Sequence, residues 1–325
     1  MKVIGIGIIL IGVSIAIVEG LLQWLFGFGH PPLYQADDKI GYLLAPNQRL
    51  RRFGNRIEIN QYSMRSQPVN TPKPAQTLRV FLIGDSIVNG NWWTDQTQTL
   101  SALLENSLSA PLPADYQTVE VLNASANSWG PRNQQAYLER YGTFDADIVV
   151  LVLNTDDLFA TQPTSLQVGR DRSYPDKSPG FALAELANRY LKKPAPIPEL
   201  KAIQAETGDR VGRNLEAVEQ IKQQVETQGG QLILVMTPLK REVLSGPRDY
   251  EVTARGRVDA FAAEHRVTYL DLLSLFDSQE TVEGWYRDHI HLSPTGNQVV
   301  CDRIQSAIEA QLATPETEAV PHPDA

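Results

Sequence analysis

The chain has 325 residues, enough to bury a sizeable core as one large domain with appendages. Its 29 Lys and Arg against 38 Asp and Glu give a net charge of −9, which argues against nucleic acid as a partner, and no basic cluster stands out against that balance. Cys301 is the only cysteine, so an intrachain disulfide is excluded and the compartment is left open.

At the amino terminus, residues 3–18 are apolar except for small Gly and Ser, and Lys2 precedes them. Glu19 interrupts the run, and residues 21–28 resume it with Trp24. About 20 apolar residues cross a hydrocarbon core, so residues 1–28 are expected to form a transmembrane anchor with Glu19 near one interface. Lys2 favours an inside amino terminus and Trp24 an interfacial position on the far side. A cleaved signal peptide is the rival reading, but no Ala-x-Ala site follows. With no second span, the rest of the chain is expected outside the cytoplasm, periplasmic or at the cell surface. Residues 29–75 read as a small β-rich extension and linker. Segments 40–44 and 56–60 alternate like short strands, with Gly54 and Asn55 as the turn between them, and Pro68, Pro72 and Pro74 mark the linker.

Residues 76–313 alternate strand and helix patterns. A continuous apolar run at 80–83 suits a strand buried on both faces. A helix is expected at 98–108, a strand at 118–122, a helix at 134–141 and a strand at 147–153. Residues 159–209 are irregular and contain proline, apart from a possible helix at 181–191; loops of that length are usually functional. A helix at 211–227 stops at Gly229 and Gly230, and a strand at 231–236, a helix at 250–265 and a strand at 267–270 follow. This alternation predicts an α/β fold, a three-layer α/β/α flavodoxin-like parallel sheet. Residues 314–325, rich in Pro and Glu, read as a disordered tail.

Two motifs carry chemistry. Gly84, Asp85 and Ser86 sit where the first long strand ends, the edge at which open α/β sheets bind ligands. A helix beginning there offers backbone N–H groups to an oxyanion. The alternative is that Ser86 is an ordinary helix cap. Near the other end, Asp288 and His291 lie three residues apart, so one turn can put both on one side. Asp288 could then accept the Nδ1 proton of His291 and leave Nε2 for a nucleophile. Ser293 and Pro294 read as the cap and first residue of the last helix. Asp288, His289 and His291 also admit a metal reading, but the only other His nearby is His265 on a different helix, and zinc usually takes three or four protein ligands. Neither a metal nor a cofactor is expected.

With Gly-Asp-Ser after the first strand and Asp-x-x-His before the last helix, the chain resembles the SGNH (GDSL-type) hydrolase family over residues 79–312. The Gly-x-Ser-x-Gly elbow of α/β-hydrolases is absent, since Ile87 and Val88 follow Ser86. The phrase at 38–48 resembles the amino-terminal extension of membrane-anchored members. The resemblance implies Ser86 as nucleophile, His291 as general base and Asp288 as its orienting partner. It also implies a glycine N–H in a second block and an asparagine amide in a third as oxyanion donors. In the second block Gly130 is the only glycine, and the best-aligned positions hold Asn127 and Ser128. In the third, Asp156 stands where the family has Asn, and a carboxylate donates only when protonated. Asn154 lies two residues earlier, where strand periodicity could point it to the same face. The expected oxyanion set is therefore Ser86, Ser128, Gly130 and Asn154. Trp92, Trp93 and Trp129 lie beside these blocks and either pack the sheet edge or line a substrate cleft. Together these features imply a serine ester hydrolase or acyltransferase acting on an acylated cell-envelope carbohydrate or lipid. The rival is a membrane-tethered polysaccharide-binding or assembly protein with little turnover.

Overall fold

A computed structural model describes residues 2–109, 112, 115–277 and 282–313; the expected tail at 314–325 lies outside them. The amino-terminal apolar run is one helix, α1 (Lys2–Phe26). Its stretch Ile4–Phe26 is long and apolar enough to cross a membrane, and Ile8, Leu10 and Ile11 on it are exposed.

Two hairpins follow where one was expected. β1 (Tyr34–Asp37) pairs antiparallel with β2 (Gly41–Leu44), and β3 (Gln48–Arg52) with β4 (Asn55–Ile59). The anticipated strands at 40–44 and 56–60 thus exist but belong to different hairpins. The turn falls on Phe53 and Gly54, not Gly54 and Asn55. Both have positive φ, 48° and 87°, as a two-residue turn matched to strand twist demands. A left-handed Phe is costly, and ring contacts at 5.5 Å to Phe28 and 4.8 Å to Trp92 help to offset it.

β5 (Thr77–Gly84) is buried at every position, as a strand covered on both faces must be. α2 (Ser86–Asn89) is a single turn closed by Gly90 at φ 72°. Next come α3 (Leu100–Leu108), β6 (Thr118–Ser125), α4 (Pro131–Tyr141) and β7 (Ile148–Asn154). The irregular insertion carries α5 (Ala182–Leu186), which runs on as a π-helical turn over Ala187–Leu191, and then α6 (Pro198–Gln204). The chain continues through α7 (Arg210–Thr227), β8 (Gln231–Thr237), α8 (Lys240–Ser245), α9 (Asp249–His265), β9 (Thr268–Asp271), α10 (Leu273–Asp277) and α11 (Pro294–Ala313).

Strands β5 to β9 form one parallel sheet in the order β6-β5-β7-β8-β9, the flavodoxin-like arrangement. Alternate residues of β5 face opposite layers. Phe81 and Ile83 join Tyr137 of α4, Ile221 of α7 and Val258 of α9; Val80 and Leu82 join Leu104 of α3 and Ile304 of α11. Ile40, Leu43 and Met64 of the extension are buried in the first of these clusters, so the extension and the sheet share one core. Register places Gly84 beside Ser125 and Val152, and Asn154 opposite Thr237, so the loops after β5, β6 and β7 leave the sheet at one edge.

Candidate active site

β5 ends at Gly84, a position where nothing larger fits: a Cβ there would lie 2.4 Å from Val88 and 2.9 Å from the Val152 carbonyl. The next residue, Asp85, is the cap of α2, its Oδ1 accepting the Ile87 N–H at 2.8 Å. Ser86 is therefore not the cap; it is largely buried at the cleft, with Oγ 3.3 Å from Asp85 Oδ2. His291 Nε2 lies 2.9 Å from Ser86 Oγ, and His291 Nδ1 lies 2.8 Å from Asp288 Oδ2. The other oxygen of Asp288 accepts the N–H groups of Ile290 and His291 at 3.0 and 2.8 Å. Burial pushes the Asp288 carboxyl up, but those N–H groups and the imidazole outweigh it and hold it below the usual carboxylate range. The turn is pinned from below by Ser293, whose Oγ accepts the Gly296 N–H and donates to the Gly284 carbonyl. His289, at 83% side-chain exposure, sits 3.8 Å from Asp288 Oδ1 and makes no contact with Ser86. Among the described residues no group of three or more His, Cys, Asp or Glu is placed to hold a metal ion.

The second block keeps the shape of a glycine turn without the glycine. Ser128 has φ 60°, the left-handed conformation that favours glycine, and its N–H bonds to none of the described residues. Gly130 does not serve as expected. Its N–H donates to Asn133 Oδ1 at 3.0 Å, and a Cβ there would lie 2.3 Å from that of Ala160, so this glycine answers to packing and capping. Asn154 is likewise committed: its Nδ2 donates to Asp85 Oδ2 at 3.0 Å and to Asp157 Oδ2 at 2.9 Å. Burial pushes both carboxyls up, Asp157 well above its ordinary range, where the Asp85 charge adds to the effect. One amide thus bridges two buried acids. Asp156 faces outward; burial and then the Glu251 and Glu242 carboxylates raise it. Beneath the loop, Arg255 donates to Glu242 at 3.1 Å and to Thr155 Oγ1 at 2.8 Å, fixing the chain just after β7.

The aromatic residues divide. Trp93 stacks edge-on against His291 at 4.8 Å and Trp92 against Trp93 at 5.3 Å, and both line a cleft of about 730 Å³ that includes Ser86, Asp156 and His291. Arg287 lies 4.8 Å over the Trp93 ring. Trp129, expected in the cleft, is instead core: it is 1% exposed, donates Nε1–H to the Tyr42 carbonyl at 2.9 Å and packs on Tyr137. Its indole turned inward because the extension supplies the acceptor.

Two contributions were not anticipated. Tyr34 and Tyr42 of the extension and Tyr174 of the insertion line the far wall of the cleft. Arg65, buried at 1% exposure, spends all five N–H groups, four of them on the loop that carries the tryptophans and one on β4. Nη1 donates to the Asn89 and Asn91 carbonyls at 2.5 Å each and Nη2 to Thr94 at 2.5 Å and Arg56 at 3.3 Å, while Nε donates to Gln96 at 3.3 Å. Burial pulls its pKa down to about 10, still charged at neutral pH. A lone Arg in a polar stretch gives no sequence signal of this kind.

Residues 82–299 match the family model described as the GDSL-like Lipase/Acylhydrolase family. No curated protein matches the chain. Similar solved structures include a catalytic mutant of Axe2, an acetylxylan esterase from Geobacillus stearothermophilus, at 14% identity and a TM-score of 0.46, covering 76% of this chain and 100% of that one. A lipase/acylhydrolase from Enterococcus faecalis is 14% identical with a TM-score of 0.45, over 72% of this chain and 96% of that one. LAE5, an alpha/beta hydrolase enzyme from the metagenome of Lake Arreo, is 17% identical with a TM-score of 0.46, over 75% and 100%.

Proposed function

Since the chain belongs to the GDSL-like lipase/acylhydrolase family and is an ester-bond hydrolase, we propose that Ser86, His291 and Asp288 are its catalytic triad and that it cleaves or transfers the acyl group of an acylated cell-envelope carbohydrate or lipid. Ser86 Oγ attacks the acyl carbonyl while its proton passes to His291 Nε2. Asp288 keeps the other imidazole nitrogen protonated and the ring aimed. The backbone N–H groups of Ser86 and Ser128 receive the oxyanion. His291 then protonates the departing alkoxide, and a water or a second hydroxyl, deprotonated by His291, takes the acyl group from Ser86. Asn154 could reach the oxyanion only by leaving Asp85, so its role is to hold the two buried acids.

The observation that carries this reading is the unbroken run of contacts at 2.9 and 2.8 Å from Ser86 through His291 to Asp288, at the floor of an aromatic-walled cleft. The reading of α1 as an uncleaved anchor, with the cleft outside the cytoplasm, draws on its contacts with the rest of the chain. Glu19 accepts the Ala182 and Leu183 N–H groups, and Arg52 donates to the Gly27 carbonyl at 2.6 Å. Cleavage after the helix would discard the first pair. The test is hydrolysis of p-nitrophenyl acetate by the full-length chain in detergent micelles. Activity lost in Ser86→Ala supports the assignment; an inert wild type, or a Ser86→Ala variant as active as the wild type, overturns it. Acetate release from acetylated polysaccharide, compared with fatty-acid release from acyl lipids, then identifies the substrate class.

A further inference from the structure

The insertion between β7 and α7 leaves a set of large apolar side chains uncovered. Phe181 is 66% exposed, Tyr190 68% and Leu191 82%, and Leu183 is partly exposed as well. Leu183, Tyr190 and Leu191 lie on one continuous helical stretch, α5 with its π-helical extension, with Phe181 as the residue just before it and the exposed Lys192 and Lys193 just after. A soluble surface rarely gathers such residues on so short a stretch.

Their position relative to α1 explains them. Glu19, the one carboxylate in the apolar stretch, accepts the Ala182 N–H at 2.5 Å and the Leu183 N–H at 3.0 Å. A second tie lies at the exit of α1, where Glu185 of α5 accepts the Gly29 N–H at 2.7 Å and forms a buried ion pair with Arg52. The candidate span covers 23 residues, Ile4–Phe26, about 34 Å of helix against a hydrocarbon core of about 30 Å. Glu19 precedes Phe26 by seven residues, so it lies about 10 Å below the end of that helix. With that helix centred on the core, Glu19 lies about 8 Å inside its outer face, so anything bonded to Glu19 is held among the outer acyl chains just below the membrane–water boundary. A carboxylate at that depth needs partners, and the start of α5 provides them.

We infer that the stretch from Phe181 to Leu191 is a second membrane contact, lying in the bilayer interface beside α1. Its exposed Phe, Tyr and Leu enter the acyl–headgroup boundary, and Lys192 and Lys193 reach back toward anionic headgroups. The inference rests on α1 being a membrane anchor and adds where the cleft sits. Arg189, from the same stretch, lines that cleft, so the cleft reaches the proposed membrane contact on that side. An acyl ester presented at that surface, on a membrane-bound carrier or lipid, enters without leaving the interface.

The test uses the full-length chain reconstituted in vesicles of phosphatidylethanolamine and phosphatidylglycerol. Single variants Phe181→Cys, Leu191→Cys, Ile11→Cys and Leu244→Cys are labelled with a polarity-sensitive fluorophore. The wild type, whose Cys301 is buried, gives the labelling background. Each label is challenged with iodide in the water and with nitroxide lipid carrying the spin label near the headgroup. The inference expects Phe181→Cys and Leu191→Cys to show blue-shifted emission, stronger quenching by the lipid than by iodide, and the reverse at Leu244→Cys. Labels at 181 and 191 that behave like the one at 244, while the label at 11 is shielded from iodide, overturn this inference and leave the anchor intact. A label at 11 open to iodide overturns the anchor reading and this inference with it.

Discussion

Replacing Arg65 with Met tests whether the extension builds the active site or merely adjoins it. The change keeps most of the side-chain volume and removes the donors that hold the Asn89, Asn91 and Thr94 carbonyls. Three buried acceptors losing their partners at about 1 kcal/mol each give about 3 kcal/mol. Methionine also removes the cost of burying a guanidinium that has no ion pair, so the net loss is set at about 1–3 kcal/mol. At about 2–4 °C per kcal/mol for a domain of this size, the melting temperature falls by roughly 2–12 °C. The functional consequence is local. The loop carries Trp92 and Trp93, and Trp93 packs against the imidazole at 4.8 Å. Loosening it unsettles His291, so kcat at a temperature where both proteins are folded falls on the order of tenfold to a hundredfold. Arg65→Lys, with one charge and three donors but no fork, falls between. The assay is a thermal melt followed by circular dichroism, paired with p-nitrophenyl acetate turnover at 20 °C or below. An Arg65→Met variant that melts and turns over like the wild type refutes the argument.

Other outcomes follow from the same geometry. His291→Ala should lower kcat on the order of 10⁴-fold or more, since members of a catalytic unit fail together, whereas His289→Ala should change it little; equal losses in folded protein would revive the metal reading. Asp288→Asn leaves the imidazole in the wrong tautomer and should cost about 10⁴-fold in kcat by analogy with other triads. Asn154→Ala strands two buried carboxyls and should cost about 1–3 kcal/mol in a denaturant melt; unchanged stability with a large drop in kcat would make Asn154 an oxyanion donor after all. Asp156 is raised, so it is neutral at low pH and charged above its own pKa. Asp156→Asn should match the wild type at the acid end of the pH–rate profile and exceed it above, by up to about tenfold for a charge effect of roughly 1.4 kcal/mol. A ratio that does not change with pH would show that the Asp156 charge does not act on the site.

The sheet was legible because its central strands β5, β7 and β8 are largely aliphatic runs and strand and helix patterns alternate, which implies parallel strands between helices. The Ser86, Asp288 and His291 grouping was legible for a different reason: the Gly-Asp-Ser and Asp-x-x-His motifs together resemble a known family, although Asp288 and His291 lie in a turn outside any helix or strand. The bonds that tie up Gly130 and Asn154 were not. Whether the Gly130 N–H faces the cleft depends on Asn133 capping it from within α4, and whether Asn154 is free depends on Asp85 and Asp157, which sequence spacing does not bring together. Trp129 was placed beside the cleft by its neighbours along the chain. Its actual partner is a carbonyl of Tyr42, 87 residues away in sequence. The two hairpins were read as one because 40–44 and 56–60 alternate equally well, and alternation does not say which strand pairs with which.

The central claim is that Ser86 is the nucleophile and His291 activates it. The direct measurement is covalent capture with a fluorophosphonate, which reacts with an activated serine, followed by peptide mass mapping. The account predicts one adduct, on Ser86, formed at near wild-type rate in His289→Ala and not in His291→Ala. An adduct on another serine, or labelling of Ser86 that survives loss of His291, would contradict it.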